Sequence, residues 1–133
     1  MWYRQAQSIQ SDETGMVTFQ YQRNPEKAPF FGDMYGQNIE PHGKYVTQLA
    51  EGTTPIEGWE KGQIKFANPL IIYWGSGGYK DPDNWKQTLI RKYQKTGKAL
   101  SKAIIADGYD GIITIDDRGE PMEIIDLTMF KKQ

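Results

Sequence analysis

Residues 106–127, A-D-G-Y-D-G-I-I-T-I-D-D-R-G-E-P-M-E-I-I-D-L, contain the two apolar runs that decide the fold. The runs are residues 112–115 and 123–127, and the turn-forming sequence D-D-R-G stands between them at 116–119. This arrangement predicts two β-strands joined by a tight connection. Two isoleucines follow Glu123 directly, so we expect its strand to be buried on both faces, with the carboxylate at a sheet end beside a cleft. Glu123 is therefore the first candidate for a functional residue.

The composition is that of one soluble globular domain spanning residues 1–133. Of the residues, 38% are hydrophobic and 25% are charged, and a chain of this size buries roughly two thirds of its unfolded surface. The net charge of −1 indicates neither a nucleic-acid partner nor a membrane surface. The absence of cysteine excludes disulfides, thiol catalysis and cysteine-based zinc sites. Without a secretory leader pattern or an apolar run of about 20 residues, we expect a cytoplasmic protein.

Further strands are predicted upstream of the quoted stretch. The aromatic-rich opening at 2–6 favours a first strand with Arg4 at its middle. Residues 17–21 alternate between apolar and polar side chains, which is typical of a half-buried strand. Residues 64–66 alternate in the same way, and the apolar run at 69–74 predicts a strand in the core.

The segment between these strands has no sustained period. Residues 30–45, F-F-G-D-M-Y-G-Q-N-I-E-P-H-G-K-Y, are rich in glycine and aromatic side chains. Such a segment is either a binding loop or a surface loop packed by its own aromatics. Residues 46–57 predict a short helix or turn followed by a loop.

Two helical segments are expected between residues 81 and 108. Asp81 and Pro82 predict an N-cap and a first helical residue, and an apolar side chain recurs at 85, 89 and 93. Gly97 interrupts this pattern, and Gly108 closes a second helical segment. Two helical segments are too few to cover both faces of a parallel sheet. The predicted class is therefore α+β, with a mixed or antiparallel sheet.

Several common active-site chemistries find little support. His42 is the only histidine, which leaves it without a partner for a zinc site and favours an exposed loop histidine. The glycine-rich sequence at 75–78 is not followed by the Lys-Ser/Thr pair of a phosphate loop. A magnesium-dependent phosphodiesterase stays open as an alternative, although its carboxylates have no recognised spacing: Asp110, Asp116, Asp117, Glu123 and Asp126.

Charge is distributed unevenly along the chain. Residues 80–102 carry seven basic and two acidic side chains, a balance of +5. Residues 107–126 carry seven acidic and one basic side chain, a balance of −6. These segments either face water and each other or form a docking face for a partner.

An arginine in the first strand, a loop with aromatic and amide side chains, and a late carboxylate are the groups needed to hold an extended dinucleotide. An arginine pairs with diphosphate oxygens, and an aromatic ring stacks on a nicotinamide. A carboxylate stabilises positive charge at an anomeric carbon. The competing interpretation is that Arg4 and Glu123 are ion-paired surface groups.

The chain resembles the small ADP-ribosyltransferase-like domains of bacterial and phage proteins. G-Y-D-G-I-I-T-I at 108–115, followed by M-E-I-I-D-L at 122–127, is similar to their C-terminal part, where G-Y-D-G precedes a strand with a catalytic glutamate. W-Y-R-Q at 2–5 is similar to their first-strand motif, and Y-G-Q-N-I-E-P-H-G-K-Y-V at 35–46 to their middle motif. The three motifs stand in the expected order.

The resemblance implies a fold, a cofactor and a site. The fold would have a split, mixed or antiparallel β-sheet, and the activity would be NAD-dependent mono-ADP-ribosylation. Glu123 would be the catalytic residue, Arg4 would anchor NAD, and Tyr35 or Tyr45 would pack on the nicotinamide. The implied NAD-binding set is Tyr3, Arg4, Gln5, Tyr35, Gly36, Gln37 and Tyr45. The acceptor would be a macromolecule, with a host protein as the expected target of a phage or bacterial effector.

Departures from the family pattern leave the acceptor and the activity open. Gln5 stands where the family has glycine, and Pro121 stands where members that modify arginine or asparagine have Gln or Glu. A second hypothesis is therefore a catalytically inactive inhibitor of the same fold, which binds a host protein through the basic helical face.

Overall fold

A computed structural model describes residues 16–25, 40–50, 52–75 and 83–131 of the chain. Within these ranges the elements are β1 (Val17–Arg23), β2 (Lys44–Gln48), β3 (Glu60–Phe66), β4 (Pro69–Tyr73), α1 (Trp85–Tyr93), α2 (Gly97–Ala106), β5 (Gly111–Ile115), β6 (Pro121–Asp126) and a 3₁₀ turn (Thr128–Phe130).

The described strands form one mixed sheet in the order β3-β1-β2-β6-β5-β4. β4 and β5 pair in parallel, and the other pairs are antiparallel. The predicted α+β class with a mixed sheet is confirmed. The six strands are hydrogen-bonded into a single sheet, so the split expected from the resemblance is not seen among the described residues.

The turn between β5 and β6 forms where the sequence predicts it. Its geometry is set by Asp116, whose Oδ1 accepts hydrogen bonds from the backbone N–H of Arg118 (2.9 Å) and of Glu120 (3.0 Å). The hydrogen bonds from these two N–H groups lower the pKa of Asp116. Asp116 therefore has a structural role, as expected for an aspartate that begins a turn.

The sheet buries apolar side chains on both faces. One face packs on the helices in a cluster of Leu70, Ile72, Trp85, Leu89, Leu100, Ile104, Ile112, Ile125 and Leu127. The other face forms a cluster of Val17, Phe19, Tyr21, Val46, Ile64, Phe66, Ile71, Ile113, Ile115 and Ile124. Consecutive residues of a strand point to opposite faces, so Ile124 and Ile125 enter different clusters, and both are fully buried, as predicted.

Asp110, directly before β5, and Gly111, its first residue, contact the connection between β3 and β4. The buried carboxylate of Asp110 accepts hydrogen bonds from the N–H of Ala67 (2.7 Å) and of Asn68 (3.1 Å). Beside it, the ring of Phe66 lies directly on Gly111, where any Cβ would overlap the ring. Asp110 and Gly111 therefore hold the turn at Ala67 and Asn68 against the start of β5.

The helices agree with the predicted pattern but start later. Asp81 and Pro82 lie outside the described residues, and α1 begins three residues after Pro82. Asn84 is the N-cap instead, because its side chain accepts a hydrogen bond from the N–H of Lys86 (2.9 Å). Gly108, with φ of 102°, follows the last turn of α2 as predicted. No helix in the described part of the chain is long and apolar enough to cross a membrane.

The predictions for residues 30–45 and 46–57 are wrong where the two segments meet. Residues 44–48 form β2, which pairs with β1 on one side and β6 on the other, rather than ending a loop and beginning a helix. Only Val46 of these five residues is fully buried, so the strand has almost no periodicity of its own. Its hydrogen bonds to two neighbouring strands determine its conformation. The predicted strand at 2–6 and most of the predicted loop at 30–45 lie outside the described residues.

Candidate functional site

Glu123 lies within β6, in an irregular part of the strand pairing. The strand begins at Pro121, two residues earlier than predicted, so Glu123 is not at its start. Ile113 of β5 pairs with Ile124, and Ile115 pairs with Pro121, so two residues of β6 face the single residue Thr114. This is a β-bulge, a feature that is enriched beside active sites because it redirects a side chain.

The hydroxyl of Thr114 replaces the strand hydrogen bonds that the bulge removes. It donates to the carbonyl oxygen of Glu123 (2.9 Å) and accepts from the N–H of the same residue (2.8 Å). Thr114 is fully buried, so its hydroxyl is shielded from water. The N–H and the carbonyl oxygen of Glu123 are thereby both hydrogen-bonded, which fixes the backbone position from which its side chain extends.

Replacement of Thr114 by valine should destabilise the protein by about 2 kcal/mol, because two hydrogen bonds of about 1 kcal/mol each are lost at nearly constant volume. Thr114→Ser keeps the hydroxyl and should cost less, although it loses a buried methyl group. Urea unfolding of both variants measures the difference. Equal stability of the valine and serine variants would show that the hydroxyl does not support the bulge.

Three side chains from other parts of the fold are related to Glu123, either by lying on the same face of the sheet or by the effect of their charge on its pKa. Because Thr47 pairs with Glu123 and Tyr45 pairs with Ile125, Tyr45 and Glu123 lie on the same face of neighbouring strands. Glu40 precedes β2 and is only 3% exposed, and its Oε2 lies 3.1 Å from Nζ of Lys86 on α1. We call Glu40, Tyr45, Lys86 and Glu123 the Glu123 site.

The residues before β2 are anchored to both helices. Lys86 holds Glu40 from α1, and the Ser101 hydroxyl of α2 donates to the carbonyl oxygen of His42 (2.6 Å). The Tyr45 hydroxyl donates to the carbonyl oxygen of Pro41 (2.7 Å). His42 is half-buried in this segment rather than exposed as expected. The position of Glu40 therefore depends on the packing of both helices.

The electrostatics of the site favour protonated groups. Burial raises the pKa of Glu123; Lys86 opposes this shift, and Glu40 adds to it. Burial raises the pKa of Tyr45 well above its usual value, and Glu40 and Glu123 raise it further. A half-buried carboxylate with a raised pKa is more basic than an exposed one and better suited to accept a proton.

Comparisons with protein-family models, curated proteins and solved structures found no match. The interpretation of the site therefore rests on its own chemistry.

The structure describes only some of the side chains that the sequence analysis selected. It places Tyr45 and Glu123 on the same face of neighbouring strands. The other predicted NAD-binding residues lie outside the described ranges: Tyr3, Arg4, Gln5, Tyr35, Gly36 and Gln37. That Arg4 and Glu123 hold the same dinucleotide thus stays a prediction.

Two members of the site were missed by sequence reasoning. Glu40 and Lys86 are 46 residues apart in the chain. One falls in a segment without periodicity, and the other follows a buried tryptophan in the first turn of a helix. The one available signal was the position of Lys86, because a cation near a helix N-terminus is unfavourable and suggests a specific partner.

Three of the five carboxylates considered for a metal site accept hydrogen bonds elsewhere in the fold. Asp110 and Asp116 accept backbone hydrogen bonds in turns, and Asp126 accepts from the N–H and hydroxyl of Thr128. Within the described ranges, no group of three or more His, Asp or Glu side chains is placed to hold a metal ion.

A second charged cluster joins β1, β2 and β3. The carboxylate of Glu60 accepts a hydrogen bond from the hydroxyl of Tyr21 (2.7 Å). It also lies 2.9 Å from Nζ of Lys44 and 3.3 Å from Nη1 of Arg23. The hydrogen bonds from Lys44 and Tyr21 lower the pKa of Glu60 to about 2. Burial alone would lower the pKa of Lys44, but its hydrogen bonds to Glu60 and Tyr21 raise it. Since three donors already converge on Glu60, we assign this cluster a structural role.

Because of this cluster, we expect the free energy of unfolding to decrease at acid pH. The pKa of Glu60 falls from 4.5 to about 2 on folding, so its stabilisation is complete above pH 4.5 and is lost as the pH drops towards 2. The side chain is 37% exposed, and after solvent screening we expect a contribution of about 1 kcal/mol. Urea unfolding between pH 2 and 7 should show that Glu60→Gln flattens this dependence. Glu57→Gln, at an exposed turn, is the control; equal pH profiles for the two variants would contradict the assignment.

Proposed function

We propose that the protein is a NAD-dependent mono-ADP-ribosyltransferase with Glu123 as its catalytic carboxylate. The observation that carries the proposal is the position of Glu123 in a braced β-bulge, half-buried and on the same face as Tyr45. The order of the three motifs in the sequence supports the same assignment. NAD is a substrate here, and it supplies the glycosidic bond that is broken.

The chemistry needs a negative charge beside a sugar carbon that becomes positive. As the bond between ribose and nicotinamide breaks, its electron pair leaves with nicotinamide, and the acceptor nucleophile then bonds to the anomeric carbon. An ionised Glu123 would hydrogen-bond a ribose hydroxyl and stabilise the developing charge, an interaction that is strongest in a site with little water. Lys86 favours this ionised form, because it lowers the pKa that burial raises.

The aromatic side chain of the site suits a flat, cationic ring. Tyr45 is half-buried and its hydroxyl is already bonded to Pro41, so its ring is the part that a substrate would use. The centroid of that ring lies 6.4 Å from that of Trp85, at a tilt of 45°. An aromatic face attracts a pyridinium cation. We therefore assign Tyr45 to the nicotinamide end of NAD. Residues 3–5 and 35–37 stay the predicted contacts for the rest of the dinucleotide.

Incubation of the wild-type protein with labelled NAD⁺ and a cell lysate tests the proposal. We expect nicotinamide release and transfer of label to a macromolecule, with the label removed by protease if the acceptor is a host protein, and by nuclease if it is a nucleic acid. Neither transfer nor release by the folded protein would refute the proposal. A parallel phosphodiesterase assay with and without a chelator tests the metal-dependent alternative.

The second candidate is a catalytically inactive module that binds a protein through the helices. Its supporting observation is that residues 84–106 contain no Asp or Glu, while five cations of this segment are exposed: Arg91, Lys92, Lys95, Lys98 and Lys102. For this candidate, charge reversal at Arg91, Lys92 and Lys95 should abolish partner binding, and Glu123→Gln should leave it intact.

A further inference from the structure

The loop between β2 and β3 is held by side chains of the sheet. Its residues 52–59 read G-T-T-P-I-E-G-W. The N–H of Ile56 donates to Oε1 of Gln22 on β1 (2.9 Å), and the carbonyl oxygen of Ile56 accepts from Nζ of Lys61 on β3 (2.8 Å). Gln22 is only 3% exposed, so this connection begins inside the protein. The backbone of Ile56 is therefore fixed on the sheet.

Ile56 is nevertheless exposed to solvent. Ile56 (43%) and Met129 (41%) are the exposed large hydrophobic residues in the described part of the chain. A single exposed apolar residue is ordinary on a protein surface. The unusual feature of Ile56 is that two long polar side chains give up conformational freedom to hold its backbone. An apolar side chain on a fixed backbone suits a docking surface, because less freedom remains to be lost when a partner binds.

The sheet register places this loop close to Glu123. Glu123 pairs with Thr47 of β2, and Thr47 pairs with Gln22 of β1. Directly paired residues point to the same face of a sheet, so the three side chains form one row. Neighbouring strands are about 4.8 Å apart, which puts Gln22, the residue that holds Ile56, about 10 Å from Glu123. Thr47, which lies between them, is exposed.

The helices lie on the other side of Glu123, over the same face of the sheet. Ile125, two residues after Glu123, shares its face and packs with buried residues of α1 and α2. In the sheet order, β6 and β2 stand between β5, which the helices cover, and β1, which the loop contacts. Glu123 and Thr47 therefore lie between the helices and the loop. A macromolecule that reaches Glu123 along this face would contact residues 52–59.

We propose that the loop at 52–59 docks the acceptor, and that the acceptor is a protein with an apolar surface that covers Ile56. This inference rests on the proposed transferase function, because it names the second substrate of the same site. A protein is favoured over a nucleic acid because residues 50–59 contain two glutamates and no Lys or Arg to meet phosphates. In the transfer step, the acceptor nucleophile bonds to the anomeric carbon and loses a proton to solvent, and nicotinamide leaves with the electron pair of the broken bond.

Two rates measured side by side test the inference. One is transfer of label from NAD⁺ to the proteins of a cell lysate, and the other is nicotinamide release without lysate, where water replaces the acceptor. Ile56→Asp should slow transfer by about tenfold or more, as loss of an apolar anchor does, and leave release within about twofold of wild type. Ile56→Leu keeps an apolar side chain and should retain most of the transfer rate. Met129→Asp, the matched control at a similarly exposed position, should leave both rates within about twofold of wild type.

Transfer by Ile56→Asp at the wild-type rate would overturn the inference. So would an equal loss of transfer and release, because that would place the effect at the NAD site rather than at acceptor docking. Label that nuclease removes and protease does not would overturn the assignment of a protein acceptor. A wild-type protein that neither transfers label nor releases nicotinamide refutes the proposed function and the docking role together, whereas an active wild type with an equally active Ile56→Asp refutes the docking role alone.

Discussion

Glu123→Gln should lower the rate of nicotinamide release from NAD⁺ by about 10²- to 10⁴-fold. Glutamine keeps the size of the side chain but carries no negative charge, so it cannot stabilise a positive anomeric carbon. The expected loss lies in kcat more than in KM, because the charge develops only in the transition state. The backbone hydrogen bonds to Thr114 do not involve the side chain, and the fold should be unchanged.

Glu120→Gln is the matched control for this experiment. Glu120 is an exposed glutamate three positions earlier, in the turn before β6. Its replacement should leave the rate within about twofold of wild type, as expected of an exposed residue away from the site. If Glu123→Gln retained a tenth or more of the wild-type rate, Glu123 would not be the catalytic carboxylate.

Gly111→Ala should destabilise the protein by about 3 kcal/mol, at the upper end of what overpacking costs in a closed core. The added Cβ would overlap the Phe66 ring, which is completely buried and cannot turn towards solvent. Gly111 also starts β5, which pairs with strands on both sides, so its backbone has little freedom to shift. Urea unfolding monitored by circular dichroism measures the loss.

A double-mutant cycle with Phe66→Val separates this collision from a general effect on β5. Valine removes the ring atoms that the new Cβ would meet. In that background, Gly111→Ala should cost at least 1 kcal/mol less than in the wild type, a coupling typical of residues in contact. Strictly additive losses would show that Phe66 is not the reason for glycine at this position.

The parts of the fold that were predicted correctly depend on local sequence. The turn at Asp116 is closed by hydrogen bonds within four residues, so its residue types are sufficient to identify it. The strands on either side contain apolar residues, Ile112, Ile113 and Ile115 in β5 and Ile124 and Ile125 in β6, whose burial their composition predicts. Leu89 follows Trp85 at helical spacing, and both are buried.

The parts that were missed depend on contacts between distant residues. β2 has one fully buried residue, and its conformation comes from strands that flank it in space. The ion pair of Glu40 and Lys86 is created only when the segment before β2 packs on α1. Glu123 was selected as a candidate through its motif and its neighbouring isoleucines, but the bulge in which it lies requires the offset between β5 and β6. The offset in the pairing of two strands cannot be predicted from a single sequence.

The most direct test of the account is isothermal titration calorimetry of the wild-type protein with NAD⁺, because it asks whether a dinucleotide binds before any acceptor is known. We predict saturable binding to one site, with a Kd in the range of about 1 μM to 1 mM that is common for enzyme substrates, and with an affinity that Glu123→Gln changes little. Absence of binding heat at millimolar NAD⁺, from protein whose folded state has been verified, would contradict the account.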